Sequence, residues 1–386
     1  MSNTNRSLRV ANRALLLKQL HQRPSSRAQL AQQTGLARSA VTSIVNELLQ
    51  EQLVRECSGT APVKPGRPST LLELRPGKYF AVGIIINRTT TFLCAVDLGG
   101  NVLHTQQIPS AAFGTQGACT VWLFSALDAW FQDPATPRAN CIGISVGTAG
   151  PVDRQAGEIR NPPGFAVFHG YPIVSLLRRR YALPIVFENV AVLYAQAEYL
   201  SGTIKDHHNT LFVFWAEDGI GSVLLHDGKV FRGSGGFAGE IGHTCVEPNG
   251  VVCACGSIGC LEAYLKKERT AMQFGPFTWP DVVAGFRRGE ARANSILQYF
   301  VRYFGIALTN AVNLLDSDSI CLYMDDDYEP TCLLEQLSRY ISRRAVVCQN
   351  HAVDCIAAGI SHSDPAVAAV APALLQFFHS GGHPGA

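Results

Sequence analysis

The 386-residue sequence lacks any apolar run long enough to cross a lipid bilayer. Its most apolar runs, at 80–86 and 211–215, have the length of β-strands. The first nine residues are polar and basic and lack the apolar segment of a signal peptide, so we expect a cytoplasmic protein. There is no internal repeat and no low-complexity tract. With 47% hydrophobic and only 16% charged residues, the composition is that of a soluble globular protein, and its length suggests two or three domains.

Twelve cysteines without a secretion signal indicate reduced thiols. Nine are scattered singly, whereas Cys253, Cys255 and Cys260 fall within eight residues and follow His243 at the spacing His-x9-Cys-x-Cys-x4-Cys. Three thiolates and one imidazole are a normal ligand set for tetrahedral zinc. Cys245 is an alternative ligand, less favoured because it lies so near His243. Since incidental cysteines would not cluster in this way, we expect a structural zinc ion (Zn²⁺) without a catalytic water.

The net charge of +2 conceals an uneven distribution. Residues 1–78 hold 12 Lys and Arg against 4 Glu, a net +8, and the remainder of the chain carries −6. Such asymmetry indicates a polyanion-binding segment joined to a body that does not itself seek phosphate. On charge alone, a merely solvated basic face would be the better interpretation.

The same basic segment has the pattern of a winged helix-turn-helix. Residues 5–22 predict a helix with an apolar stripe, and Ser25 or Ser26 can cap a short helix over 27–34. Gly35 supplies the turn before a third helix at 37–52. Strand-like arms at 53–56 and 70–74 then flank a Gly/Pro/Lys-rich loop, which is typical of a wing. The stripe of the first helix is expected to comprise Leu8, Ala11, Leu15, Leu16 and Leu20.

The third helix is the candidate recognition helix, because its first half presents a polar face opposite its apolar stripe. Arginine can bind guanine, asparagine can bind adenine, and hydroxyls can reach phosphates or base edges. In the loop at 64–68, prolines hold Gly-Arg extended, and such an arginine suits the minor groove of A·T-rich DNA. The candidate DNA-binding residues are Arg38, Ser39, Thr42, Ser43, Asn46 and Arg67. Solvated polar residues and a plain linker are the simpler alternatives.

Strands and helices alternate from residue 79 onward, in two successive sets. This order predicts an α/β fold with two lobes and a cleft between them. We place the domain boundary at 76–77, where Pro-Gly breaks the pattern, so that residues 1–76 form the DNA-binding domain and residues 77–386 the second domain.

A glycine-rich motif resembles the signature of the ROK family (repressors, open reading frames and kinases). The sequence Gly-Glu-Ile-Gly-His at 239–243, followed by Cys-x-Cys-Gly-x2-Gly-Cys-x-Glu at 253–262, carries this resemblance. The winged helix and the Gly-Arg-Pro at 66–68 narrow the resemblance to the NagC/XylR-type repressors. The resemblance implies an actin-like ATPase fold, a bound zinc, homodimers or homotetramers, and sugar or sugar-phosphate ligands.

The parts that make a family kinase active are missing here. Where kinases have Asp-x-Gly-Gly-Thr-Lys, residues 85–90 read Ile-Ile-Asn-Arg-Thr-Thr. The catalytic Asp of the kinases' Asn-Asp pair is replaced in Asn189–Val190, and valine cannot accept a proton. The second phosphate loop, Gly-Thr-Gly-x-Gly in kinases, reads Glu-Asp-Gly-Ile-Gly at 217–221. We therefore expect no enzymatic activity and no catalytic residue.

The family's sugar-contacting positions are retained, by contrast. Asn189, Glu240, His243 and Glu262 match residues that hydrogen-bond sugar hydroxyls, and Asn161 is a weaker candidate. The simpler alternative for Glu240 and Glu262 is that they brace the metal loop, and both roles can hold at once.

These observations favour a sequence-specific transcriptional regulator, a repressor of carbohydrate-metabolism genes, that binds duplex DNA and senses a sugar or sugar phosphate. An active ROK sugar kinase with a DNA-binding head is the alternative. A third interpretation keeps DNA binding but has the body respond to a protein partner.

Overall fold

The computed structural model describes residues 3–57, 70–150, 152–160, 166–216, 219–324, 331–360 and 365–383. Two compact units make up the chain, one of residues 1–202 with 365–386 (unit 1) and the other of residues 203–364 (unit 2). Among the described residues, no helix combines the length and apolarity needed to span a membrane. The structure is an α/β protein, as the sequence predicts.

The helices are α1 (Asn3–Gln22), α2 (Arg27–Thr34), α3 (Arg38–Gln50), α4 (Gln116–Gln132), α5 (Ile173–Tyr181), α6 (Val190–Ser201), α7 (Leu261–Leu265), α8 (Lys267–Phe274), α9 (Trp279–Arg287), α10 (Ala291–Leu315), α11 (Thr331–Ser342) and α12 (Pro365–His379). The strands are β1 (Ser25–Ser26), β2 (Val54–Cys57), β3 (Leu71–Leu74), β4 (Phe80–Ile86), β5 (Thr90–Asp97), β6 (Val102–Pro109), β7 (Cys141–Thr148), β8 (Val152–Asp153), β9 (Glu158–Ile159), β10 (Ile185–Asn189), β11 (Asn209–Ala216), β12 (Gly219–His226), β13 (Lys229–Phe231), β14 (Ser319–Met324) and β15 (Asp354–Ala357).

The helix-turn-helix forms where the sequence predicts it, because its end signals are local. The Ser26 side chain accepts a hydrogen bond from the backbone of Gln29, and the Gln29 side chain accepts one from the backbone of Ser26. This reciprocal cap starts α2, and Gly35 ends it in the left-handed conformation. Helix α3 buries Val41, Ile44, Val45 and Leu48, which lie at helical spacing. Strands β2 and β3 pair antiparallel as the two arms of the wing, with β1 on the other side of β3.

The apolar stripe predicted for α1 is partly wrong. Leu16 and Leu20 are buried, but Leu8 and Leu15 are 61% and 45% exposed and Ala11 is exposed as well. The buried face instead includes Arg13 and Leu17. The face is rotated because α1 packs against α12 and α6, which are distant in sequence, as well as against α2 and β3.

Unit 1 contains a five-stranded mixed sheet in the order β10-β7-β4-β5-β6. Strands β10, β7 and β4 are parallel, and β4, β5 and β6 form an antiparallel meander. Since β4, β7 and β10 run in one direction, their carboxyl ends at Ile86, Thr148 and Asn189 lie along one edge, where open α/β sheets commonly bind ligands.

Unit 2 contains a five-stranded sheet in the order β13-β12-β11-β14-β15. Strands β11, β12 and β13 form an antiparallel meander, and β14 and β15 continue parallel to β11. The two sheets therefore have the same strand arrangement, three antiparallel strands followed by two parallel ones. Long helix α10 supplies much of the core of unit 2, with Phe300, Phe304 and Leu308 nearly inaccessible to solvent.

Helix α12 closes unit 1, although it lies at the far end of the sequence. The Ser145 hydroxyl in β7 donates to the Ala369 carbonyl, and α12 lies so near β4 that a Cβ atom at Gly83 would be 2.5 Å from Ala369 Cβ. At the other end of the helix, Phe378 packs on His21 of α1 with ring centroids 5.5 Å apart. Burial lowers the pKa of His21 to about 4, so this ring is neutral at pH 7.

Replacing Gly83 tests this close approach. We expect Gly83→Ala to destabilise the protein by roughly 1–3 kcal/mol, because the added methyl group overlaps Ala369 in a packed interior. Gly114→Ala is the control, since a Cβ atom there meets nothing within 4 Å. The midpoint of urea unfolding measures both variants, and equal midpoints would contradict the packing of α12 on β4.

Candidate functional site: nucleic-acid face, effector residues and metal cluster

The candidate recognition face lies on one exposed side of α3. Arg38, Ser39, Thr42, Ser43 and Asn46 are all exposed. The Thr42 hydroxyl donates to the Arg38 carbonyl within the helix, and Ser43 accepts a hydrogen bond of 3.4 Å from Arg9 of α1. The side chains of Arg38, Ser39 and Asn46 are exposed and make no such hydrogen bond to another described residue.

Arg67 and Lys64 lie outside the described residues, and so does Asn161. Their assignment to the wing and to the ligand site stays a prediction.

The acidic residues of the basic segment are each paired with an arginine. Glu56 pairs with Arg27 at 3.4 Å and Glu73 with Arg55 at 2.6 Å. Glu47 pairs with Arg9 and Arg13, and Glu51 with Arg13. Because these four glutamates are neutralised locally, the remaining positive charge of residues 1–78 is not opposed by an unpaired carboxylate of that segment. Such a surface attracts a polyanion at long range.

Sequence reasoning missed Arg9 and Arg13 as partners of the recognition helix. Arg9 and Arg13 are four residues apart on α1, and Glu47 of α3 and its cap residue Glu51 are also four residues apart. Residues at this spacing share one helix face. Two arginines and two glutamates at the same spacing could therefore have predicted ion pairs between the two helices.

The effector candidate of unit 1, Asn189, sits at the carboxyl end of β10 and caps α6. Its side-chain oxygen accepts a hydrogen bond of 2.9 Å from the Ala191 backbone, and its amide nitrogen donates to the Gly150 carbonyl at 2.8 Å. The capping role explains an asparagine here without any ligand. Val190, which stands where kinases have their base, is buried as the first residue of α6.

Unit 2 contributes Glu240, His243 and Glu262. A Glu262 carboxylate oxygen accepts a hydrogen bond of 3.2 Å from the Ile220 backbone, and a Cβ atom at Gly219 would lie 2.7 Å from the same oxygen. Glu262 therefore braces the start of β12. Desolvation raises the pKa of Glu240, Glu262 adds to this effect by charge repulsion, and His243 opposes it.

The glycines of the motif at 239–243 are required by close backbone approach. A Cβ atom at Gly239 would collide with the Ser222 carbonyl, and one at Gly242 with the Ile220 carbonyl. The Ser222 backbone N–H donates to the Gly239 carbonyl at 2.7 Å. Strand β12 thus holds the motif and fixes the position of His243 at its end.

The four residues predicted as metal ligands come together. The ligand atoms of His243, Cys253, Cys255 and Cys260 all lie within 4.8 Å of one another. Cys255 Sγ and Cys260 Sγ are 3.7 Å apart, and Cys253 Sγ is 3.8 Å from His243 Nδ1. A tetrahedral ion with metal–sulfur bonds of about 2.3 Å requires sulfur atoms roughly 3.8 Å apart, so these residues fit a bound metal.

The alternative ligand Cys245 lies outside this cluster. It forms an isolated β-bridge with Cys260 and is exposed to solvent. A hydrogen bond with the Ser257 backbone lowers the pKa of the Cys255 thiol, whereas burial raises the pKa of the neighbouring Cys260 thiol.

The fold and these clusters define an α/β protein that joins an N-terminal winged helix to two mixed sheets and carries a candidate Cys3His metal site. The sequence pattern of the ROK family matches residues 81–374. The protein belongs to the ROK family, which confirms the resemblance seen in the motif at 239–262.

Relatives and solved structures of this family align over most of the chain. The chain is 26% identical to the xylose repressor of Bacillus subtilis (strain 168), over 93% of this chain and 94% of the relative. It is 26% identical to the DNA-binding transcriptional dual regulator NagC of Escherichia coli (strain K12), over 84% of this chain and 82% of NagC. Both proteins are thus similar to this chain well beyond its first 76 residues.

Among solved structures, a ROK family transcriptional regulator homologous to the E. coli MLC protein has a TM-score of 0.74 at 22% identity, covering 97% of this chain and 98% of that one. The ROK hexokinase of Thermus thermophilus has a TM-score of 0.62 at 24% identity, covering 77% of this chain and 97% of that one. Regulators and kinases share this fold, so the fold alone does not distinguish gene regulation from sugar phosphorylation.

Proposed function

We propose that the protein is a sequence-specific transcriptional regulator, a repressor of carbohydrate-metabolism genes that binds duplex DNA as a homodimer or homotetramer. The observation that carries the proposal is the exposed α3 face within a segment of net charge +8 whose glutamates are all paired with arginines. The similarity of the chain to the xylose repressor and NagC supports it. In this proposal, residues 1–76 form the DNA-binding domain and Arg67 enters the minor groove.

We further propose that residues 77–386 sense a sugar or sugar phosphate without phosphorylating it. The candidate ligand-binding residues are Asn189, Glu240, His243 and Glu262. Carboxylates and amides suit polyhydroxylated ligands because each can make two hydrogen bonds. If His243 binds the metal through Nδ1, its Nε2 remains for a ligand hydroxyl. A ligand that binds one conformation preferentially would shift the population that is competent for DNA.

The ligand chemistry of the metal cluster favours zinc. Three thiolates and an imidazole satisfy all four positions of a tetrahedral Zn²⁺ ion, which leaves no site for a catalytic water. The ion would then hold the segment 243–260 in place and contribute to folding.

Binding to DNA is tested on duplexes that the full-length protein selects from a random library. We expect Arg38→Ala and Asn46→Ala to weaken binding to the selected duplex by roughly 1–3 kcal/mol and to affect a scrambled duplex far less, because base contacts are lost. Gln50→Ala, exposed at the other end of α3, is the matched control. Titration at several salt concentrations provides the measurement. Selection of no sequence, or equal weakening on both duplexes by Arg38→Ala, would refute the assigned face.

Zinc is tested by metal analysis of protein purified without added metal. We expect about one zinc per chain, and we expect Cys260→Ala to lower metal content and melting temperature together because the site contributes to folding. Cys245→Ala should leave both unchanged, since this thiol lies outside the cluster. A metal-free wild type that is as stable as the zinc-loaded protein would disprove the structural role.

Sensing without catalysis is tested with a panel of sugars and sugar phosphates. We expect one class to raise the melting temperature, because a ligand that binds only the folded state stabilises it. Glu240→Gln should reduce this shift. No sugar of the panel should be phosphorylated by ATP, since Val190 cannot accept a proton. Phosphorylation that depends on Glu240 would establish the kinase alternative instead.

A further inference from the structure

Among the described residues of the winged helix, Arg13 is the most deeply buried charged side chain, at 3% exposure. Its Nε donates to the Gly381 carbonyl at 2.7 Å. Its two terminal nitrogens bind both oxygens of Glu51, one of them at 3.0 Å, and one nitrogen also reaches Glu47 at 3.2 Å. A buried guanidinium is tolerated only when its donors are satisfied in this way.

The two glutamates lie where a helix disfavours them. Glu47 is in the last turn of α3, Glu51 is its carboxyl-terminal cap residue, and that turn contains no basic residue. Negative side chains at a helix carboxyl terminus are repelled by the helix dipole. Arg13 compensates this repulsion and ties the last turn of α3 and its cap residue to α1, on the stripe of α3 that also contains Ser43. Rotation or sliding of α3 would break these bonds.

The third partner of Arg13 belongs to the segment after α12, which we call the C-terminal turn (residues 380–383). Gly381 and Gly382 both have left-handed backbones, with φ of 72° and 87°. A Cβ atom at Gly382 would lie 2.8 Å from Leu53 and 3.2 Å from Leu17. The two glycines therefore allow the turn to fit against the winged helix and to present the Gly381 carbonyl to Arg13.

We infer that Arg13 is a positioning residue for DNA recognition. The C-terminal turn then belongs to the DNA-binding part of the protein, because it fixes the Arg13 side chain. This inference rests on the proposed DNA-binding function. In this arrangement Arg13 of α1 holds α3, and a segment 368 residues beyond Arg13 holds the Arg13 side chain.

The test compares affinity for the library-selected duplex with affinity for a scrambled duplex. Arg13→Gln, which keeps the length of the side chain but removes its charge, should lower the selected-to-scrambled ratio about tenfold, because base contacts require a precisely held helix. Arg23→Gln is the matched control, as Arg23 is exposed just after α1 and forms no ion pair with α3 among the described residues, so its loss should weaken both duplexes alike and leave the ratio unchanged. Gly382→Val should lower the ratio by displacing the turn, whereas Gly100→Val, with a similar φ but open space, should not.

The double variant Arg13→Gln/Gly382→Val separates a shared mechanism from two independent defects. If the turn acts through Arg13, the double variant should be no worse than Arg13→Gln alone. Additive losses would overturn the inference, and so would an unchanged ratio in both single variants.

Amide hydrogen exchange distinguishes positioning from simple unfolding. In Arg13→Gln, residues 38–50 should exchange faster while residues 27–34 keep their protection. Loss of protection throughout residues 3–57 would make Arg13 a folding residue and refute the inference. Absence of any sequence preference in the wild type would refute the proposed function itself, whereas failure confined to the variants refutes only the role of Arg13.

Discussion

The packing of α12 against the sheet of unit 1 is the interaction on which much of the described structure depends. The helix approaches β4 and β7 so closely that Gly83 has no room for a side chain, and the Ser145 hydroxyl binds the helix backbone directly. From this sheet the helix continues to His21 of α1 and ends in the turn that binds Arg13. One helix thus covers the strands that end near Asn189 and also supports the winged helix.

The sequence predicted those parts of the fold whose causes are local. The cap at Ser26 and the glycine at 35 define α2 within a few residues, and the expected arms of the wing form β2 and β3. Strand β14 and helices α5, α7, α8, α9 and α11 were not predicted individually, since the sequence indicated only an alternation of strands and helices there. The stripe of α1 was assigned only partly correctly, since the helix packs on α12, whose position no local signal reveals. The matching strand order of the two sheets could not be predicted either, because their sequences show no repeat.

The candidate sites likewise differ in how far the sequence could predict them. The metal cluster could be predicted because its four ligands lie within 18 residues and thiolate chemistry is specific. The family resemblance supplied Asn189 and Glu262, but only the structure assigns them a helix cap and a brace for β12. The sequence did not reveal the role of Arg13, because the Gly381 carbonyl that it binds is distant in sequence. The loop at 87–89, which differs from the kinase motif, joins β4 to β5 as the turn of an antiparallel hairpin and contains no glycine.

The discontinuity of unit 1 has a consequence for synthesis on the ribosome. Residues 3–202 emerge before all of unit 2, whereas the helix that covers their sheet and the carbonyl that satisfies Arg13 follow unit 2 in the sequence. Until then, the apolar surface of β4 and β7 and a buried cation lack their partners, and the nascent winged helix is incompletely fixed. Translation of unit 2 must therefore precede completion of unit 1, so that a polypeptide terminated within unit 2 would retain the basic segment without the bond from Gly381 to Arg13.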